Sequence, residues 1–525
     1  MTPAAPETWQ TWVPLWAVLT SFGAVPLILL SGRRENLREF WTLAAAFAKF
    51  ALVLTLLPGA LGGRVAECTL LEISPGISLM LRADPLGTYF AVIASGLWIL
   101  TSFYSIGYVR AAGEANQTRY FASFAVCLGA TIGVALSANL LTFLVFYEIL
   151  TIATYPLVIH KETPEAIAGG RKYLTYALTA GVLLLAAVGW TYQATGTVDF
   201  RAGGILEGAG LGPGELRALF VLFLAGVGVK AGIMPLHSWL PAAMVAPTPV
   251  SALLHAVAVV KSGVFGVVRV VGFVFGPEVM ARHGLDLLLA AFAGATILLA
   301  SFIALRQDNL KRRLAYSTVG HLSYIVLGVA LLSPDGFTGG LLHLANHATM
   351  KITLFFCAGA IYVNLHKTEV SELDGIGRAM PWTMGAFTVG ALGLAGVPPI
   401  NGFASKWLLC LGSLEAGRIA VLGVFLLSGL LNAAYFFPIV HRAFFRNPAA
   451  QAAQGHGEAH GNGHEPGEAP AIMVVPICIV ALLSILLGFY PDLFFGFFRL
   501  ASAIAASVLG LPGGPGVAGL PGGTP

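Results

Sequence analysis

Long apolar stretches constrain this chain more than any other feature. A helix needs about twenty apolar residues to cross the hydrocarbon core of a bilayer. Of the 525 residues, 57% are hydrophobic and 10% are charged. A soluble protein of this size needs a more polar surface, so the sequence predicts an all-α polytopic membrane protein. The fourteen predicted spans lie near residues 11–30, 41–61, 85–107, 119–138, 140–160, 173–194, 215–234, 247–273, 286–305, 314–332, 340–364, 381–411, 418–440 and 471–492.

The polar residues exclude several classes of function. The formal charge of +4 is carried by loops, so no nucleic-acid partner is expected. The cysteines include no CxxC pair, so neither an iron–sulfur site nor a disulfide framework is expected, and we predict no metal and no cofactor. The N-terminus lacks the short basic-then-apolar pattern of a cleaved signal, so the first span is expected to be a retained helix. The cysteines are Cys68, Cys127, Cys357, Cys410 and Cys478.

Basic residues predict the orientation in the membrane. Loops on the side opposite the N-terminus carry more Arg and Lys, most of all at 31–40 and 306–313. The positive-inside rule then places both termini on the non-cytoplasmic side of the inner (plasma) membrane. The hydrophilic stretch 446–470 becomes a cytoplasmic loop, and its Ala, Gly, His and Glu content predicts disorder. Its histidines offer a possible metal site, although a solvated flexible loop is the preferred interpretation; they are His456, His460 and His464.

Two predicted spans contain helix-breaking prolines. The seventh runs into Pro235 and Pro241, and the twelfth contains Pro398 and Pro399. Proline removes a backbone donor and clashes with the preceding turn, and unpaired backbone groups at membrane depth survive only inside protein or beside water. Both breaks are therefore expected in the interior.

The breaks are five spans apart, which suggests two five-helix units at 119–273 and 286–440. An odd number of spans in each unit would invert one relative to the other, and discontinuous helices at matching positions point to a transport site. We expect the spans within 1–118 to precede these units. Span 471–492 and a C-terminal tail at 493–525 follow them, and the tail is expected to be unstructured from residue 511.

Several ionisable side chains fall inside predicted spans, and nine of them are candidates for the site. A charge at the centre of the bilayer costs about 2.5–3.5 kcal/mol on insertion scales, so such residues are functional candidates. Glu148, Lys230 and Lys261 lie deepest in apolar runs and are the hardest to explain as purely structural. The full set is Glu148, Lys230, His255, Lys261, His321, His343, His347, Lys351 and Lys406.

Structural explanations compete for five of these residues. Lys351 would snorkel to the surface if its span began later, and Lys406 would lie near a surface if the twelfth span ended at its break. His321 could cap its span, and His343 and His347 could be neutral and hydrogen-bonded to neighbouring helices.

Spacing nevertheless favours a polar path. His343, His347 and Lys351 follow one another at intervals of four residues, which places them on one face of a helix. His255 and Lys261 are six apart and would point to different flanks of an ideal helix. A Glu–Lys pair with a variable distance can load and release a proton, and histidines add groups that titrate near neutral pH.

Several motifs together resemble one family, the antiporter-like membrane subunits. This family includes the D-type subunits of Mrp cation/proton antiporters, the three large proton-pumping subunits of complex I and subunits of membrane-bound hydrogenases. The resemblance covers roughly residues 80–445. It rests on "FYEILT" (146–151), "VKAGIMPLHSWLPAAMVAPTPVSALLHAVAVVKSGVF" (229–265), "LKRRLAYSTVGHLSYIVLG" (310–328), "HLANHATMKITLFFCAGAI" (343–361) and "GVPPINGFASKW" (396–407).

The resemblance implies fourteen transmembrane helices, two inverted five-helix repeats and breaks in helices seven and twelve. It also implies roles for four residues in proton translocation. Glu148 takes the place of the family's fifth-helix glutamate, and Lys230 that of its paired lysine. Lys261 matches the eighth-helix relay lysine and Lys406 the twelfth-helix exit lysine. The histidines match the family's polar axis less closely, and Tyr147 stands where members often have tryptophan.

Two sequence features disfavour two of the complex I subunits. Lysine at position 406 disfavours one complex I subunit, which usually has glutamate there, and the short tail disfavours the largest one, which ends in a long helix. A D-type Mrp subunit fits best. It would be the proton-translocating subunit of a Na⁺(K⁺)/H⁺ antiporter that works with other membrane subunits. A redox-driven pumping subunit of complex I or of a hydrogenase is the alternative, and a transporter acting alone is a weaker one. The exchanged cation is left open.

Overall fold

The described part of the chain is mostly helical. The computed structural model describes residues 7–447 and 467–512, and each of the fourteen predicted spans corresponds to helix within these ranges. The helices are α1 (Val13–Leu30), α2 (Glu35–Leu61), α3 (Pro85–Ala111), α4 (Gln117–Ala135), α5 (Leu140–Val158), α6 (Pro164–Thr195), α7 (Pro213–Ala231), α8 (Thr248–Phe275), α9 (Leu285–Leu305), α10 (Leu310–Ala330), α11 (Pro334–Leu365), α12a (Pro381–Ala395), α12b (Asn401–Glu415), α13 (Ile419–Phe445), α14 (Ala471–Phe489) and α15 (Phe497–Leu509).

Eleven of the described helices are long and apolar enough to cross a membrane. The three other predicted spans are α7, α10 and the α12 pair. α7 and α10 each carry three charged residues, and the twelfth span is divided into two helices of fifteen residues. The protein is therefore a multi-pass helical membrane protein, as predicted.

A small sheet accompanies the predicted helical bundle. β1 (Thr8–Gln10) pairs in parallel with β2 (Val65–Ser74), and β2 pairs antiparallel with β3 (Ile77–Ala83). The sheet connects the end of α2 to the start of α3 and satisfies backbone groups that no helix can pair. A twenty-residue hydropathy window is insensitive to strands this short, so they were not predicted.

The predicted tail also contains structure. α15 lies within 493–525 and packs against α3 and α11. Its Phe497 contacts the ring of Tyr89 edge-on, with 5.3 Å between the ring centroids. An apolar face repeated every three to four residues explains why this segment folds onto the bundle.

Part of the predicted cytoplasmic loop 446–470 is attached to the bundle. Glu468 accepts hydrogen bonds from the backbone N–H groups of Trp382 and Thr383 and from the Thr383 hydroxyl. It thereby satisfies free donors at the start of α12a. The candidate metal-binding histidines His456, His460 and His464 lie outside the described residues, as does the tail from residue 513.

The helix lengths recur in the two predicted five-helix units. α6 and α11 both have 32 residues and begin with a proline after a hydroxyl cap, Thr163 and Ser333 respectively. The fourth member of each unit, α7 or α12, is interrupted. The fifth members, α8 and α13, have 28 and 27 residues. The same element order therefore occurs twice along the chain.

The centre of the bundle is formed by α8, whose span is entirely buried. Near its end, Arg269 forms two hydrogen bonds of 2.5 and 2.8 Å with Asp84, the residue that caps α3. The Phe200, Phe265 and Phe273 rings surround the guanidinium at 4.7–5.0 Å from their centroids. This ion pair fixes α8 to α3.

Removal of Asp84 should destabilise the protein strongly. Asp84→Ala leaves the Arg269 charge buried without its partner, which typically costs about 3–5 kcal/mol. We expect a clear fall in melting temperature of the detergent-solubilised protein. The matched control is Glu7→Ala, which removes an exposed pair with Arg64 and should change little. Equal effects of the two substitutions would contradict the assigned role of Asp84.

Candidate functional site

The structure collects the predicted site residues into two buried groups within the helix bundle. The first group contains Glu148 on α5 and Lys230 on α7. The second group lies among α8, α10, α11 and α12b and contains Lys261, His321, His343, His347, Lys351 and Lys406. His255 is buried near the second group but is hydrogen-bonded to none of its members.

Both predicted breaks are present, and they share local features. α7 ends at Ala231 and helix resumes at Trp239, with Pro235 between them. α12a ends at Ala395, and α12b begins after Pro398 and Pro399. Each break has a glycine of positive φ (70° and 92°) directly after the first helix and a cis X–Pro peptide bond.

Backbone carbonyls near the breaks accept hydrogen bonds from side chains inside the protein. The Trp239 indole donates to the Val229 carbonyl at 2.8 Å. At the other break, the Leu394 carbonyl accepts from Lys406 Nζ at 2.5 Å and from Asn432 at 3.1 Å. Irregular backbone in the interior of a membrane protein requires this kind of internal satisfaction.

Lys230 is fully buried in the last turn of α7. Its Nζ donates to the Tyr147 carbonyl at 2.6 Å and lies 3.4 Å from the centroid of the Tyr147 ring. The ring face and the carbonyl both present negative potential to the ammonium. Tyr147, the residue that departs from the family pattern, is thus the direct contact of this lysine.

Glu148 is adjacent in sequence to Tyr147 but does not pair directly with Lys230. It is half-buried, and its Oε1 is enclosed without a hydrogen-bond partner among the described residues. Gly181 on α6 makes room for it, because a β-carbon there would lie 2.5 Å from Oε1. Lys230 therefore contacts Tyr147, while the carboxylate of Glu148 lies against Gly181.

The second group begins at Lys261. Its Nζ hydrogen-bonds to His347 Nδ1 at 2.9 Å and donates to the Leu344 carbonyl at 3.1 Å. The His347 ring stacks on the His321 ring with 5.4 Å between centroids. His321 Nδ1 then hydrogen-bonds to His343 Nε2 at 3.1 Å.

Two branches leave the His321–His343 pair. His343 Nδ1 contacts the hydroxyl of Ser405 on α12b at 2.9 Å. His321 Nε2 contacts the Asn432 amide on α13 at 3.2 Å, and Asn432 shares the Leu394 carbonyl with Lys406. Lys406 is half-buried and lies over the Tyr324 ring at 5.2 Å. Polar contacts and one ring stack thus extend from Lys261 to Lys406.

Lys351 on α11 belongs to the same cluster. It is fully buried and donates to the Ser317 hydroxyl at 2.8 Å, so it does not snorkel to the surface. The Tyr435 hydroxyl lies within hydrogen-bond distance of Ser317 Oγ and of Asn432 Oδ1, and its one proton can be donated to either. The predicted stripe His343, His347 and Lys351 therefore contacts α12b, α8 and α10 in turn.

His255 differs from the expectation based on ideal helix geometry. It lies in a π-helical segment, Leu253–Val257, so the angle predicted between His255 and Lys261 does not apply. Both ring nitrogens are buried without a partner in the protein, and the ring lies 4.9 Å from that of Phe355.

The neutral side chains of the site were not predicted from the sequence, because they carry no charge that distinguishes them within an apolar span. An amide in the apolar run "SGLLNAAYFF" was the available signal for Asn432. Among the described residues, no group of three or more His, Cys, Asp or Glu side chains could hold a metal ion. The missed contacts are Tyr147, Ser317, Tyr324, Ser405, Asn432 and Tyr435.

Comparison with known proteins identifies the family. Residues 137–432 match the family described as NADH:quinone oxidoreductase/Mrp antiporter, TM. This region is more than half of the chain and contains both groups of site residues. The chain belongs to this family of antiporter-like membrane subunits, which confirms the resemblance seen in the sequence.

Relatives occur in both branches of the family. The N subunit of the NADH-quinone oxidoreductase of Desulforudis audaxviator is 33% identical over 79% of this chain and 83% of its own length. The D-type subunit of the Na(+)/H(+) antiporter of Alkalihalophilus pseudofirmus is 26% identical over 90% of this chain and 93% of its own. The chain spans only 62% of Hydrogenase-4 component B of Escherichia coli, at 31% identity.

Solved structures share the fold. A chain of the Mrp complex from Dietzia sp. DQ12-45-1b superposes with a TM-score of 0.82 at 22% identity, covering 95% of this chain and 97% of that one. A chain of respiratory complex I from Thermus thermophilus gives 0.78 at 22% identity, covering 94% and 99%. The predicted architecture of an antiporter-like membrane subunit is thereby confirmed.

The contact between α7 and α8 beside Lys230 can be tested. A β-carbon at Gly263 would overlap the backbone of Lys230 and Ala231, so Gly263→Ala must push the two helices apart. We expect reduced yield of folded protein and loss of ion transport in membrane vesicles. Gly189→Ala is the control, because Gly189 has no atom within 4 Å of the added carbon. Normal yield and transport for Gly263→Ala would contradict the close packing.

Proposed function

We propose that this protein translocates protons as a membrane subunit of a multisubunit Na⁺(K⁺)/H⁺ antiporter of the Mrp type, in the position of the D-type subunit. The observation that carries the proposal is the buried polar cluster from Lys261 through His347, His321 and Asn432 to Lys406. Titratable side chains connected in this way at membrane depth are the usual basis of a proton relay. The similarity to a D-type antiporter chain over nearly its full length supports the choice of branch.

The first group supplies the loading step in this proposal. When the Glu148 carboxylate approaches Lys230, it stabilises the charged ammonium, and when it withdraws, the ammonium gives up its proton more readily. Gly181 leaves space for such a movement of Glu148. Lys261 then receives a proton and passes it through the histidines toward Lys406.

The two breaks have a defined part in this scheme. They place Lys230 and Lys406 where helical hydrogen bonding is interrupted, so water can reach these lysines from inside the bundle. The repeated element order of α4–α8 and α9–α13 supports two inverted five-helix units. We place the protein in the inner (plasma) membrane with both termini non-cytoplasmic, from the distribution of basic residues.

The second candidate is a proton-pumping membrane subunit of NADH:quinone oxidoreductase or of a related membrane-bound hydrogenase. The 33% identity to an oxidoreductase N subunit favours it. In either case the chain works beside other membrane subunits. In the redox-driven case, electron transfer in partner subunits replaces the ion gradient as the driving force.

Lys230→Ala tests the proton path. Alanine cannot donate to the Tyr147 carbonyl or respond to Glu148, so we expect proton transport by membrane vesicles to fall to the level of vesicles without the complex. Assembly should remain intact, as judged by co-purification of the partner subunits. Full transport in this variant would show that Lys230 is only structural.

Purification from native membranes in mild detergent separates the two driving forces. A secondary antiporter should purify with other membrane subunits and without flavin or iron–sulfur absorbance. Flavin and iron–sulfur clusters that co-purify in stoichiometric amount would contradict the antiporter and support the redox-driven pump.

A further inference from the structure

A buried lysine lies outside both groups of site residues. Lys49 is near the midpoint of α2 and is fully buried. Among the described residues its Nζ has no hydrogen-bond partner and no ion pair. Its contact is the face of the Trp98 ring on α3, at 4.4 Å from the centroid.

Other buried polar atoms of α1 and α3 have no partner among the described residues. Trp98 Nε1 and Ser102 Oγ are two of them, and their positions four residues apart put them on one face of α3. Ser21 Oγ, at the midpoint of α1, is another. Buried polar groups are normally satisfied, so four such atoms in one helix trio indicate a local polar function.

The charges at the end of α2 do not account for Lys49. Arg38 and Glu39 are partly engaged there with Gln117 and Arg110. They lie more than two helical turns away along α2, too far to form an ion pair with Lys49. The ammonium has therefore not been buried to complete a structural ion pair.

Helix α4 lies between this site and the first group. The side chain of Ser21 on α1 packs against Gly129 on α4. Two residues earlier, Cys127 contacts the Thr154 hydroxyl on α5 at 3.5 Å and lies within electrostatic range of Lys230. The α1–α3 site is thus next to the Lys230 site, with α4 between them.

We propose that Lys49 is a proton-exchanging group of a third polar site, formed by α1, α2 and α3 beside the Lys230 group. This site precedes the region 137–432 that defines the family. The inference rests on the proposed proton translocation and adds a participant to it. Its ligand is the proton itself, carried by the Lys49 amine and by water bound to the unpartnered Trp98 and serine groups.

A purely structural role makes a different prediction. If Lys49 only stacks on Trp98, then Arg in its place should serve, because guanidinium groups stack well on aromatic rings. Arginine does not lose its proton in proteins, whereas lysine can. Lys49→Arg therefore keeps the charge and the ring contact while removing proton exchange.

The experiment compares Lys49→Arg, Lys49→Gln and wild type in the complete complex. Proton transport is measured in inverted membrane vesicles, and assembly is checked by co-purification of partner subunits. We expect both variants to assemble and to transport about a hundredfold more slowly or worse, the order of effect seen on losing a proton-transfer group. Lys230→Ala is measured in parallel.

The outcomes are distinct. Full transport in an assembled Lys49→Arg or Lys49→Gln complex, with loss in Lys230→Ala, overturns this inference and leaves the proposed function standing. Full transport in all three variants overturns both. If Lys49→Arg fails to assemble, Lys49→Gln decides alone, and loss of transport in that assembled variant supports the inference.

Discussion

Three lysines of the site donate hydrogen bonds to backbone carbonyls rather than to carboxylates. Lys230 donates to the Tyr147 carbonyl, Lys261 to that of Leu344 and Lys406 to that of Leu394. A carbonyl offers a second lone pair beyond its helical hydrogen bond, and it carries no charge that would lock the lysine in its protonated state. Such contacts hold a lysine in place while leaving its proton exchangeable.

The two lysines beside the breaks have parallel environments. Lys230 on α7 lies over the Tyr147 ring of α5, and Lys406 on α12b lies over the Tyr324 ring of α10. Each tyrosine is therefore on the helix two spans before the lysine. The carbonyls differ, because Leu394 belongs to the broken helix itself whereas Tyr147 lies inside an intact one. The repeated order of elements thus extends to the aromatic residues that face the lysines.

The sequence supports prediction of the fold better than of the contacts. Spans of about twenty apolar residues locate the helices because hydrocarbon demands them. Pro235, Pro398 and Pro399 locate the breaks because proline removes a helical hydrogen bond and clashes with the preceding turn, although helices of this protein continue through several other prolines. Strands β2 and β3 were not predicted, because these segments are apolar only in part.

The site shows the same division: charged and histidine residues mark where it lies, but Asn432 and Ser317 become members only through helix packing. Glu148 was expected to be the partner of Lys230, whereas the direct contacts of Lys230 in the structure are the carbonyl and the ring of Tyr147. Sequence spacing specifies which face of a helix a residue occupies and not which partner that face meets.

Helix α8 contacts both groups of site residues. Gly263 fits against the backbone of Lys230, and Lys261, two residues earlier, reaches His347. One turn of a single helix therefore contacts both groups. π-helical segments lie on either side of this turn, and the Arg269–Asp84 pair fixes the far end to α3. π segments inside helices are frequent at functional sites, and a shift of the turn between these two would alter the surroundings of Lys230 and Lys261 together. Coupling of the two groups then requires no side-chain contact between them.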